Sequence, residues 1–126
     1  MARQLKGRKI TMESSEFRVL RIALGLSAQD VANACYVNVR TAQRWETVNK
    51  PPADAAEWIS DKWGEMVERA DDLIAEVERS GVLPYFYDDA RCRERTGMRA
   101  FEYQALLGHV GVELARRGVV FELVEV

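Results

Sequence analysis

Read for its apolar and polar positions, the chain opens with short helical segments and continues into one long one. Between Ser14 and Gly25, the residues Phe17, Leu20, Ala23 and Leu24 recur at helical spacing and share one face. Ser14 and Ser15 suit the N-terminal cap, and Gly25 suits the position just past the helix end, where a left-handed backbone is common. Ser27, with Asp30 three residues on, has the pattern of a capping box. It opens a second helix that carries Val31, Ala32 and Cys35. Asn38 caps a third, from Val39 to about Thr47, with Ala42 and Trp45 facing inward. Three helices in about 35 residues, joined by very short turns, have the density of a compact helix-turn-helix domain.

Asn49-Lys50-Pro51-Pro52 then breaks the chain, and Pro52 fits the first turn of a following helix. No proline occurs from Ala53 to Ser80, and Gly81 is a stop. Ala56, Ile59, Trp63, Met66, Ala70, Leu73 and Val77 are spaced alternately by three and four, an apolar heptad seam. A helix over this span is about 42 Å long at ~1.5 Å per residue. A small domain cannot cover that length, so the far part of the seam calls for a partner helix, either its own symmetry mate or the C-terminal segment, and Gly64 marks a place for a bend or break. A second stripe, Asp54, Glu57, Asp61, Glu65, Glu68, Asp72 and Glu76, turns away from the seam as a solvated acidic face that repels phosphate.

Past Gly81, Val82 to Tyr87 is rich in strand formers, with Pro84 suiting an edge. Asp88 or Asp89 caps a short helix, Ala90 to Arg95. A longer one follows from about Met98 to Arg117, with Phe101, Ala105, Gly108, Val112 and Ala115 on one face. Val119 to Val126 reads as a second strand. Two strands alone are marginal, so they are expected to pair across a dimer or lie against helices. The expected fold is mainly α. A flexible arm covers residues 1–12, and a helix-turn-helix bundle with its long linking helix covers 13–80. A small β-α-α-β dimerisation unit covers 81–126.

Composition narrows the chemistry. The 126 residues are 48% hydrophobic and 30% charged, the balance of a folded domain. No apolar run is long enough for a membrane span, and the basic N-terminus lacks the apolar stretch of a secretory signal. Two cysteines, Cys35 and Cys92, make no disulfide framework, which fits a reducing cytoplasm. A single histidine, His109, leaves too few soft ligands for zinc, so neither metal nor cofactor is expected. The phosphate-loop, dinucleotide, zinc-protease and serine-elbow signatures do not occur, which points away from an enzyme. His109 adjoins an apolar face and reads as a core or interface residue. Cys35 reads as buried packing. Cys92, between Arg91 and Arg93, reads as a surface thiol, with redox sensing as its alternative.

The net charge of −2 conceals a polarity. Residues 1–50 hold nine Lys/Arg and four acids, +5, while residues 51–126 hold nine and sixteen, −7. A polyanionic partner would therefore meet the N-terminal half. The run Arg21-Ile22-Ala23-Leu24-Gly25-Leu26-Ser27, then Val31 and Ala32, the capping Asn38, and Arg44-Trp45-Glu46 resembles the lambda-repressor/Cro-like (XRE) helix-turn-helix family. The resemblance covers roughly residues 14 to 60. Two positions depart from it: Tyr36 stands where a turn glycine is usual, and Ala42 where a larger aliphatic is usual, with Trp45 available to fill the volume. The resemblance implies sequence-specific recognition of double-stranded DNA.

The residues support the same expectation independently. With Ala42 and Trp45 inward, Val39, Arg40, Gln43 and Arg44 point outward from a helix that fits the major groove. Arginine bonds guanine O6 and N7, glutamine bonds adenine N6 and N7, and a valine can meet a thymine methyl. Gln29, Asn38, Thr41, Asn49 and Lys50 are placed for phosphates, as are Arg3, Lys6, Arg8 and Lys9 of the arm. Glu46 is expected to order the helix end or pair with an arginine. The order of the whole chain is similar to that of anti-CRISPR-associated repressors: a closing Trp-Glu, a proline, a helix, an aromatic strand and a helix containing Tyr103-Gln104. That similarity implies a homodimeric, autoregulatory repressor joined through its C-terminal part, with Tyr85, Phe86, Tyr87, Phe101, Val112, Phe121 and Leu123 as the dimerisation set. Two recognition helices would then enter grooves ~34 Å apart on an inverted repeat. The alternative is an antitoxin or interaction module that binds a toxin or other protein through the acidic helix and C-terminal unit. Lesser readings are RNA binding and an enzyme built on Cys92 or His109.

The arm generates one test. Deleting residues 1–9 is expected to weaken binding to all duplexes and to flatten the plot of log affinity against log salt by roughly 0.9 for each phosphate that the arm neutralises. An unaltered slope would remove the arm from the interface.

Overall fold

The computed structural model describes residues 11–126; the arm residues Arg3, Lys6, Arg8 and Lys9, expected to meet phosphate, lie outside them. The fold is mainly α, with one two-stranded sheet among the described residues. The order is α1 (Ser14–Ala23), α2 (Ala28–Cys35), α3 (Val39–Arg44), α4 (Ala53–Ser80), β1 (Val82–Tyr85), α5 (Asp89–Thr96), α6 (Ala100–Arg116) and β2 (Glu122–Glu125). Two compact units divide inside α4, at residues 1–64 and 65–126, whereas the sequence suggests a division after residue 80. No described helix is long and apolar enough to cross a membrane.

In the N-terminal unit the caps fix the helices. α1 begins one residue earlier than its serines suggest: Glu13 is the cap, in a reciprocal box with Glu16. Ser27 and Asp30 form the expected box, with Asp30 N donating to Ser27 Oγ at 3.0 Å and Ser27 N to Asp30 Oδ2 at 2.8 Å. Asn38 Oδ1 accepts from Thr41 N at 2.8 Å and starts α3. α3 ends at Arg44, shorter than expected, and residues 45–48 continue as turns. Phe17, Val31, Ala32, Ala42, Trp45, Ala56 and Ile59 are buried, and Phe17 meets Trp45 edge-on with ring centroids 5.9 Å apart.

α4 passes Gly64 as continuous helix, so the expected bend does not appear as a break. Its seam is real: Ala56, Ile59, Met66 and Val77 are buried, Trp63, Ala70 and Leu73 half-buried, and the acidic stripe from Asp54 to Glu76 is exposed.

In the C-terminal unit the two strands pair with each other in parallel, from Val82 with Glu122 to Tyr85 with Glu125, and not across a dimer. The long crossover through α5 and α6 returns the chain in the same direction, as parallel pairing requires. Asp88 caps α5, and Asp89 reaches across to accept from Ala100 N at 2.8 Å, opening α6. That bond, with Arg93 beside it, holds the Asp89 carboxyl below its ordinary range. Tyr103 donates its hydroxyl to Pro84 O at 2.9 Å and packs edge-on against Phe86; burial pushes its pKa up to about 12.

Three expectations are corrected here. α6 buries Tyr103, Leu106, Leu107, Val110 and Leu114, while Phe101, Gly108, Val112 and Ala115 lie on its exposed side. The helix is apolar almost all round, so periodicity alone offers two faces, and the larger side chains take the core. Cys92 is fully buried, not a surface thiol: Arg91 and Arg93 point outward while the residue between them turns in. Cys35, expected to be buried, is half-buried, and burial with the Asp54 charge raises its thiol pKa.

The corrected phase of α6 predicts a contrast. Leu114→Ala should lower unfolding stability by about 2–5 kcal/mol through the cavity it leaves. Phe101→Ala should cost about 0.5 kcal/mol or less in monomeric protein, as at other exposed sites. Equal losses in denaturant titrations would contradict the assignment.

Candidate nucleic-acid interface

The candidate surface is the outer side of α3 with the segments that flank it. Its placement depends on the buried end of the helix. Ala42 and Trp45 turn inward and hold α3 against the core. Glu46, just past Trp45, is the buried charged residue among those described, with 8% exposure. Its carboxylate accepts from Arg21 of α1, Nε at 2.5 Å and Nη2 at 3.1 Å. Arg21 Nη1 also donates to Leu26 O at 2.9 Å, and Arg18 stands 3.5 Å from the same carboxylate. One guanidinium thus ties the end of α1, the turn before α2 and the segment after α3. Two donors from one planar group fix orientation as well as distance. The expectation that Glu46 pairs with an arginine is met. The double role of Arg21 was not read from the sequence, although Arg21 and Glu46 bound the resembling stretch with opposite charges.

Beyond that anchor, Arg40, Gln43 and Arg44 are exposed and Val39 is half-buried. With Arg40 and Arg44, and Val39 and Gln43, each four apart, the four side chains form two adjacent columns on the helix surface. Neither guanidinium is buried, and neither is bonded to a carboxylate among the described residues.

The candidate phosphate contacts divide into two groups. Around the start of α3, Asn38 is exposed with its amide oxygen engaged as the cap, and Thr41 is half-buried. Gln29, exposed on the first turn of α2, donates from Nε2 to Asn33 Oδ1 at 2.9 Å. Asn49 and Lys50 sit at the start of α1 instead. Ser14 donates to Asn49 O at 3.1 Å, and Lys50 Nζ lies 3.0 Å from Glu13 Oε2. Lys50 therefore carries a carboxylate partner, an exposed one that water and salt screen.

Tyr36 makes the turn between α2 and α3 in the left-handed region, with φ 59° and ψ 43°, and is 95% exposed. The backbone keeps the conformation in which glycine is usual, at a cost of about 1–2 kcal/mol for a tyrosine. Val37 N still closes onto Ala32 O at 3.0 Å, so α3 leaves the turn in a defined direction.

The proposed dimerisation residues are dispersed over the C-terminal unit. Tyr87, Phe101, Val112 and Leu123 are exposed, Tyr85 and Phe121 half-buried, and Phe86 is spent on the unit's own core under Tyr103.

The two ion pairs predict different outcomes. Glu46→Ala should destabilise the N-terminal unit by about 3 kcal/mol, because it strands the Arg21 guanidinium in a mostly buried site. Lys50→Ala should cost less than about 1 kcal/mol. Chemical unfolding of the two variants under identical salt decides, and a cheap Glu46 variant would contradict the anchoring role. In comparisons with known proteins, neither a scan of protein-family models nor a search of curated proteins gives a match.

Proposed function

We propose that this chain is a sequence-specific DNA-binding transcriptional regulator: a homodimeric repressor of the lambda-repressor/Cro-like kind that reads an inverted repeat through α3 and excludes polymerase by occupying the site. The observation that carries the reading is the division of α3 into a buried edge at Ala42 and Trp45 and an outward edge at Arg40, Gln43 and Arg44. The buried Arg21–Glu46 pair holds this short helix in one direction, which suits a duplex reader, because bidentate bonds to base edges tolerate little displacement.

In this reading Arg40 and Arg44 meet guanine, Gln43 meets adenine, and Val39 rests against a thymine methyl. Asn38, Thr41 and Gln29 lie on one side of α3 toward the backbone phosphates, and Asn49 and Lys50 supply contacts farther along. Lys50 would exchange Glu13 for a phosphate. The +5 charge of residues 1–50 draws the duplex to this half, and the acidic face of α4 disfavours binding along the other.

The test is binding to operator and to scrambled duplex at one fixed salt concentration. Arg40→Ala and Arg44→Ala should each lower the preference for operator by about 10- to 100-fold, with circular dichroism unchanged. Preference and footprint equal to those of the parent protein would remove α3 from the reading role.

A further inference from the structure

We propose that the C-terminal unit holds a binding site for a small organic monocarboxylate with an apolar body, in an open groove where α4, α5 and α6 meet. The site lies within that one unit and calls on neither DNA nor a second copy of the chain, so it stands or falls apart from the reading above.

The groove has a volume of about 460 Å³, inside the ~300–1,000 Å³ that small-molecule sites span. Its inner wall is apolar. Tyr103 and Leu106 of α6 are buried, and Leu73 of α4 is half-buried. Exposed charged side chains stand at its mouth: Arg69 and Asp72 from α4, and Arg95 from α5. An apolar wall under a few convergent charges suits a molecule that has one charged end.

The hydroxyls beside the groove have no proton to give. Tyr103 donates its own to Pro84 O at 2.9 Å. Thr96 Oγ1 donates to Cys92 O at 2.7 Å and accepts from Met98 N at 3.0 Å. The donors that remain are guanidinium N–H groups. Arg69 donates from Nη1 to Thr96 O at 2.8 Å, and its Nη2 lies 3.7 Å from where a Cβ on Gly97 would stand. One bond thus holds the guanidinium across the end of α5 and leaves its other N–H groups to a ligand. A group positioned in advance loses less freedom on binding. Arg69 also bypasses Glu65, one turn before it, and neither Arg69 nor Arg95 is ion-paired with a carboxylate among the described residues.

Charge then sets the ligand class. Two guanidiniums against the single carboxylate of Asp72 leave one positive charge in excess at the mouth. A ligand carboxylate meets the planar N–H forks of arginine, and Asp72 opposes a second negative charge. The apolar body covers Leu73, Tyr103 and Leu106, which an inorganic anion would leave bare.

The test uses the full chain without DNA. The probe is phenylacetate; its comparisons are the uncharged phenylacetamide and the dianion phenylsuccinate. Titrations followed by amide chemical shifts should show saturable binding of phenylacetate at low-millimolar concentration, the strength suited to so small a ligand. The largest shifts should fall at Leu73, Thr96, Gly97 and Leu106. The amide should bind ~10-fold more weakly or worse, because it forgoes hydrogen bonds between charged groups, and phenylsuccinate should also bind more weakly than phenylacetate. Arg95→Gln should weaken phenylacetate binding by ~10-fold for the same reason. Arg116→Gln, the same change of charge at an exposed arginine of α6 outside the groove, should leave it unaltered. Asp72→Asn should remove the preference for phenylacetate over phenylsuccinate. Absence of saturable shifts with phenylacetate, equal binding of acid and amide, shifts centred away from the groove, or parental affinity in Arg95→Gln would each overturn the proposal. If Arg95→Gln were to unfold, Asp72→Asn and the comparison of acid with amide decide.

Discussion

The Arg21–Glu46 pair is the constraint on which the N-terminal unit depends. A buried carboxylate is costly unless it is both paired and hydrogen-bonded, and here one guanidinium supplies two bonds while its third reaches the Leu26 carbonyl. The geometry is satisfied only when the end of α1, the following turn and the end of α3 are all in place. A six-residue helix has little intrinsic stability, so its direction must come from such tertiary ties. Trp45 and Ala42 supply the apolar part of the tie and Glu46 the directional part. The outward columns of α3 inherit their position from this inner side.

Local chemistry is legible in the sequence, and long-range chemistry is not. Ser27, Asp30, Asn38 and Gly25 act within a few residues of where they stand, so capping chemistry located the helices almost to the residue. The long seam of α4 was legible because an a/d rhythm kept from Ala56 to Val77 admits one phase. α6 was not, because Phe101 and Tyr103 start two apolar faces of similar strength. Only the position of Pro84 and Phe86 in space decides that Tyr103 goes inside. The parallel pairing of β1 with β2 and the tie of Lys50 to Glu13 are likewise long-range, joining residues that no local pattern connects. Cys92 shows the converse trap: charged neighbours in sequence say nothing about the side chain between them once a helix turns it inward.

Of the candidate site, the polar columns of α3 were legible as a pattern, since Ala42 and Trp45 leave Arg40, Gln43 and Arg44 no other direction. The anchor beneath them was visible only in part. Glu46 was expected to find an arginine, but which arginine, and that it would also hold a backbone carbonyl, depends on how α1 crosses the end of α3. Tyr36 belongs with these: its left-handed backbone is a strained feature held between two capped helices, where sequence alone suggested only that the turn departs from the usual glycine.

If the outward face of α3 reads base sequence in duplex DNA, the most direct measurement is selection of bound duplexes from a random pool by the purified full chain, followed by sequencing. The expected result is enrichment of an inverted repeat whose half-sites contain guanine and are centred about one helical turn, ~10 base pairs, apart. A pool that emerges unenriched after successive rounds would contradict that role for α3.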